Sequence, residues 1–137
     1  MFSRFLTATI LVLAAGAVLG RDCTREEAMA AERVAAQLSR WNDIFDTYHR
    51  YSHCDDGAIA EGFTDSIARL LASKWDSLPE MAAIADKNPG FKAFVLRHVN
   101  ATADTRDLER IAESAKSKCL PQYQALCAAL RAEALKR

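Results

Sequence analysis

Between Thr24 and Tyr48 the apolar residues Ala31, Val34, Leu38, Trp41, Phe45 and Tyr48 recur at alternating intervals of three and four. That spacing winds them into one stripe along an α-helix and excludes a strand, whose period is two. A start signal precedes the stripe: in Thr24-Arg25-Glu26-Glu27 the Thr24 hydroxyl can accept from the Glu27 amide while Glu27 reaches back to the Thr24 amide, a capping box. The pattern returns in Ile59, Phe63, Ile67, Leu70, Leu71 and Trp75 behind Asp55-Asp56, and predicts a second helix running to about Asp76.

Ser77-Leu78-Pro79-Glu80 reads as another capping box, with proline tolerated in the first turn, and opens a short helix through Met81 and Ile84. Asn88-Pro89-Gly90 ends it. A fourth helix carries Phe91, Phe94, Val95, His98 and Val99, and a polar loop leads to a fifth through Leu108, Ile111, Ala112 and Ala115. Pro121 separates that from a last helix holding Tyr123, Leu126, Cys127 and Leu130. Half of the 137 residues are apolar and Gly and Pro are few, which argues against disorder. The expectation is one all-α domain, residues 21–137, folded as a small bundle of five to six helices. Its expected core is Val34, Leu38, Trp41, Phe45, Ile59, Phe63, Ile67, Leu71, Phe94, Val95, Leu108, Ile111, Leu126 and Leu130.

Residues 1–20 differ in kind. Met1 and Arg4 make a short positive start, Phe5 to Leu13 form an apolar run, and Ala14, Ala15, Gly16 and Ala17 are small, the layout of a secretory signal peptide. Cleavage fits after Gly20 better than after Ala17. The run is shorter than the ~20 residues that span a bilayer, so no membrane anchor is expected after processing. Eighteen basic residues balance eighteen acidic ones, leaving no electrostatic footprint for a phosphate backbone and disfavouring nucleic acid as a partner.

All four cysteines, Cys23, Cys54, Cys119 and Cys127, lie beyond the leader. Export with an even cysteine count predicts disulfides in a periplasmic or secreted protein, and no Cys-x-x-Cys is present for redox or haem chemistry. The spacing also constrains the fold. Along one straight helix from 24 to 52, Cys23 and Cys54 would stand about 40 Å apart. Cys119 and Cys127, eight residues apart across a proline, could not reach both ends of such a rod. A bend, placed near Asn42-Asp43, brings Cys23 to Cys54 and leaves Cys119 to bridge Cys127; the other solution leaves two cysteines free.

Three features bear on function. Asp55, Asp56, Glu61 and Asp65 form an acidic edge around the start of the second helix; capping explains carboxylates there, and an edge offered to a basic partner is the functional reading. Gly62, costly in mid-helix, lies in a small-residue strip with Ala58 and Ser66 that suits close approach of a neighbouring helix. Asp46, His49 and His53 have the one-turn spacing of metal ligands for zinc or copper, set against solvated histidines at a helix end. The rings of Trp41, Phe45, Tyr48 and Tyr51, with Arg97-His98, read first as packing. No phosphate loop or Gly-x-Ser-x-Gly elbow is present, so no cofactor is expected and no catalytic residue is assigned. Asn100-Ala101-Thr102 is a glycosylation sequon, relevant in a eukaryote.

The leader, the small helical domain, and cysteines at Cys54, Cys119 and Cys127 resemble the small periplasmic immunity proteins that protect bacteria from cell-wall amidase toxins of type VI secretion. The resemblance is one of architecture. It implies a stoichiometric protein inhibitor that plugs a toxin cleft, with a cell-wall-degrading toxin as its partner. The alternative is a periplasmic small-ligand or metal-binding protein.

Overall fold

The computed structural model describes residues 20–136, so the expected leader, residues 1–20, lies outside the described residues except for Gly20. Among them are seven α-helices and no strand: α1 Arg25–Ala35, α2 Trp41–Tyr51, α3 Gly57–Ser73, α4 Leu78–Lys87, α5 Pro89–Arg97, α6 Thr105–Ser117 and α7 Gln124–Ala134. Single 3-10 turns at Ser52–Cys54, Trp75–Ser77 and Pro121–Tyr123 lead into α3, α4 and α7. No described helix is long and apolar enough to cross a membrane.

The count exceeds the expected five to six because the first predicted helix is two. The break falls at residues 36–40, ahead of the expected bend at Asn42-Asp43, and α3 supplies its cause. A helix end leaves backbone groups without partners, and these must be satisfied from elsewhere. Buried Ser66 of α3 donates to the Ala35 carbonyl at 2.6 Å and accepts from the Leu38 amide at 3.1 Å. Arg69 donates to the Ala36 carbonyl at 3.1 Å and the Leu38 carbonyl at 3.3 Å. Gly62 lets the two chains meet: a Cβ there would lie 2.9 Å from the Ala35 Cβ and 3.0 Å from the Ala36 nitrogen. Gly62 and Ser66 therefore serve the close approach expected of the strip, while Ala58 is exposed and takes no part.

The capping box of α1 forms as expected, with the Glu27 amide donating to Thr24 Oγ1 at 3.2 Å and the Thr24 amide to Glu27 Oε2 at 3.1 Å. The one expected at Ser77 does not. Its hydroxyl accepts from Trp41 Nε1 at 2.9 Å and donates to the Lys74 carbonyl at 2.7 Å, so a buried indole has taken the group that a helix end would have used.

A single core runs through the molecule, built around Trp41, Phe63, Phe91, Phe94, Ile67, Met81, Ile111 and Leu130. Edge-to-face contacts join α3 to α5 through Phe63 and Phe94, with ring centres 4.9 Å apart, and α2 to α5 through Phe45 and Phe91 at 5.2 Å. Such pairs add about 0.5–1.5 kcal/mol beyond burial. Twelve of the fourteen expected core residues are buried. Val34 is instead 39 % exposed, because α1 ends one residue later and its stripe turns to solvent, and Phe45 is half-buried at the core margin. α6 lies against both α3 and α7.

Both disulfides take the pairing that the bend allows. Cys23 bonds Cys54 with Cα atoms 5.0 Å apart, and Cys119 bonds Cys127 at 6.2 Å. Among the described residues no cysteine is free, which suits an oxidising compartment.

Candidate functional site

The four carboxylates of the expected acidic edge separate into different environments. Asp55 follows the 3-10 turn that ends at Cys54, and the chain there turns its side chain inward to 6 % exposure. Its Oδ2 accepts from Arg97 Nη2 at 2.5 Å and from His98 Nε2 at 3.1 Å. Asp55 thus belongs to the interior and leaves the edge. Burial opposes its ionisation, yet the hydrogen bonds from His98 and Arg97 prevail and hold the carboxyl below its usual range.

The network continues through His98, itself 3 % exposed, whose Nδ1 lies 2.9 Å from Thr64 Oγ1. An ionised carboxylate can only accept, so Nε2 carries the proton donated to Asp55. Asn100 Nδ2 donates to Thr64 Oγ1 at 3.3 Å, leaving the Thr64 hydroxyl free to donate to Nδ1. The constellation has the outline of a relay, with Thr64 itself buried at 2 % exposure. What it does is join the start of α3 to the end of α5. Asn100 of the sequon is tied in the same place: Nδ2 also donates to the Arg97 carbonyl at 2.9 Å, and Oδ1 accepts from the Thr102 amide at 2.8 Å.

The remaining acids face solvent. Asp56 caps α3, accepting from the Gly57 amide at 2.8 Å, and Gly57 takes a φ of +52° that suits glycine. Glu61 and Asp65 follow one turn apart on the outward stripe of α3. Asp65 is paired with Arg69 at 2.6 Å, an exposed one-turn pair that weakens the field it presents. The edge that survives folding is Asp56, Glu61 and, in part, Asp65.

The expected metal trio is not assembled. Asp46 and His49 are exposed on α2, where the His49 ring meets the edge of Phe45 at 6.1 Å. α2 ends at Tyr51, so His53 sits on the 3-10 turn and faces α1, with Nε2 3.2 Å from Glu27 Oε2. Glu27 also binds Arg21. The backbone hydrogen bond from Thr24, followed by the His53 ring beside the carboxylate, holds the Glu27 carboxyl well below the usual range, at about 2. The aromatic and basic residues pack as expected: Tyr48 and Tyr51 lie on the core margin and Arg97 stands over the Phe94 ring at 5.4 Å.

Sequence reasoning missed the Asp55–His98–Thr64 network, because its members lie 34 and 43 positions apart. The only signal was His98 continuing the apolar spacing of Phe91, Phe94 and Val95, a histidine that needs a polar partner once buried. No protein family, characterised protein or solved structure matches this chain.

Proposed function

We propose that this chain is exported behind residues 1–20 and acts in the periplasm as a protein-binding module, an inhibitor or immunity protein for a cell-wall-degrading toxin. Its acidic edge docks into a basic cleft. The observation that carries the reading is the outward stripe at the start of α3, where Asp56, Glu61 and Asp65 are all exposed on a helix fastened at its base by the Cys23–Cys54 bridge. A pre-ordered surface loses little freedom on docking, and clustered carboxylates speed association with a basic partner. Folding refines the edge to Asp56, Glu61 and Asp65 and gives Asp55 a structural role.

The test is capture of a cell-wall amidase from periplasmic extract, followed by titration of the purified pair. The Asp56→Asn/Glu61→Gln/Asp65→Asn protein should melt as wild type does and bind at least about tenfold more weakly, or 1.4 kcal/mol, with a flatter salt dependence. Equal binding at low and high salt rejects the edge. A protein that neither binds nor inhibits any murein-cleaving enzyme rejects the function. The alternative, a periplasmic small-ligand carrier, draws on the groove between Trp75, Leu78, Pro79, Leu120 and Tyr123, which holds about 140 Å³. Ligand pockets begin at roughly 300 Å³, which this groove does not reach, and the larger clefts of about 360 Å³ between α6 and α7 and about 480 Å³ between α3 and α6 lie wide open to solvent.

A further inference from the structure

We propose that the Cys23–Cys54 staple is also a redox-gated zinc site, in which the two cysteines, once reduced, join Glu27 and His53 as its four ligands. The site shares no residue with the acidic edge.

The ligands come from two short segments that folding brings together. Cys23 stands just before the cap of α1 and Glu27 one turn into the helix, while His53 and Cys54 are neighbours on the 3-10 turn after α2. One donor atom from each of Glu27, His53 and Cys54 lies within 4.8 Å of the other two. Cys23, bonded to Cys54, adds a second sulfur at the same point. Nitrogen and oxygen ligands 2.0–2.1 Å from a tetrahedral zinc ion lie roughly 3.3 Å from each other. Glu27 Oε2 and His53 Nε2 are 3.2 Å apart and so already stand at ligand spacing.

A second observation points the same way. His53 Nε2 is sealed from solvent and has no hydrogen-bond partner of acceptable geometry, despite its nearness to Glu27. A buried ring nitrogen left in that condition is costly in a folded chain and is satisfied when it binds a metal. The carboxylate is held in place by the Thr24 amide and hydroxyl, which meet the same Oε2 that faces His53, and by Arg21 on Oε1, contacts that fix its orientation toward the ring. Two thiolates, an imidazole and a carboxylate form a donor set that suits tetrahedral zinc.

The disulfide gates the site because its sulfurs are not thiolates. A dithiol reductant delivers two electrons and two protons to the Cys23–Cys54 bond and is itself oxidised to a disulfide. Zn²⁺ then displaces the two thiol protons to solvent and binds both sulfurs. The two segments stay joined in either state, by a covalent bond when oxidised and by the ion when reduced.

The experiment treats the whole processed protein with a water-soluble trialkylphosphine under anaerobic conditions. The phosphine leaves as its oxide, with its oxygen drawn from water and two protons placed on the sulfurs. Co²⁺ is titrated as a spectroscopic probe, then displaced by Zn²⁺, with folding followed by circular dichroism. The reduced protein should take up one Co²⁺ in a tetrahedral site with thiolate charge-transfer bands, and the oxidised protein none. Zn²⁺ should raise the melting temperature of the reduced form. His53→Ala should weaken uptake at least about tenfold. Cys119→Ser/Cys127→Ser should retain uptake, and Cys23→Ser/Cys54→Ser, which keeps the other bridge, should lose it. Failure of the reduced chain to bind or to gain stability with metal overturns the proposal. So does uptake indifferent to His53→Ala, or uptake that survives Cys23→Ser/Cys54→Ser.

Discussion

Asp55 and Asp56 are neighbours of the same chemistry with opposite roles, and the difference is burial. Asp55 is enclosed and accepts from two cationic or polar donors of α5, so Asp55→Asn puts an amide against groups that need an acceptor. We expect it to lower stability by about 2 kcal/mol, and Asp56→Asn, which keeps the capping oxygen, to change it by less than about 0.5 kcal/mol. Urea unfolding of the two variants makes the comparison, and equal losses would return Asp55 to the surface. The carboxyls of Asp55 and Glu27 also make the fold sensitive to acid. Both have folded-state values below their ordinary ones of 3.8 and 4.5, so in acid the unfolded chain binds more protons than the folded one. The contribution of Glu27 is complete above pH 4.5 and is lost as pH falls towards its folded value of about 2, and that of Asp55 is likewise lost as pH falls below its ordinary value. Glu27→Gln should flatten the dependence of the urea midpoint on pH across that window.

At the scale of elements, the junction of α1, α2 and α3 depends on two small side chains. Glycine within a helix costs about 1 kcal/mol relative to alanine, and on propensity alone Gly62→Ala should stabilise. The added methyl would press on the Ala35 Cβ and the Ala36 backbone, neither of which is the free end of a flexible chain. Overpacking of that kind costs about 1–3 kcal/mol, so a net loss of about 1–2 kcal/mol is expected. Ser66→Ala should cost about 2–3 kcal/mol by leaving a buried amide and carbonyl unpaired. A thermal melt of each variant decides both, and a more stable Gly62→Ala protein would contradict the tight approach. The break at residues 36–40 was hidden in sequence for the same reason. Its backbone partners sit on α3, some thirty positions away, and local propensity carries the stripe of Ala31, Val34 and Leu38 straight through.

For the whole molecule, the bridges contribute unequally. Cys23–Cys54 spans 31 positions and Cys119–Cys127 spans 8, and a longer closed loop restricts the unfolded chain more. Loop-closure entropy gives about 3.7 kcal/mol for the first and about 2.5 kcal/mol for the second. Cys23→Ser/Cys54→Ser should therefore destabilise more than Cys119→Ser/Cys127→Ser, by roughly 1 kcal/mol in urea unfolding. The reverse order would mean that the short bridge holds the packing of α6 on α7 rather than restricting the open chain.

The helical class, the capping box at Thr24 and most of the core were legible without the tertiary fold, because each rests on local spacing. The cysteine pairs were legible only as one of two solutions, since Cys23 reaches Cys54 only if the first helix breaks. Periodicity reports which face of a helix is apolar, and that property is decided within a few turns. The acidic edge was legible only in part. Asp56 follows from its place at the helix start and Glu61 and Asp65 from the polar face of α3, but nothing local distinguishes Asp55, whose partners are at the end of α5. The place where the first helix breaks, the use of Ser77 by Trp41, and the meeting of Glu27 with His53 were likewise decided by tertiary structure. In each case a polar group was satisfied by a partner far along the chain, a pairing that exists only after the helices have packed.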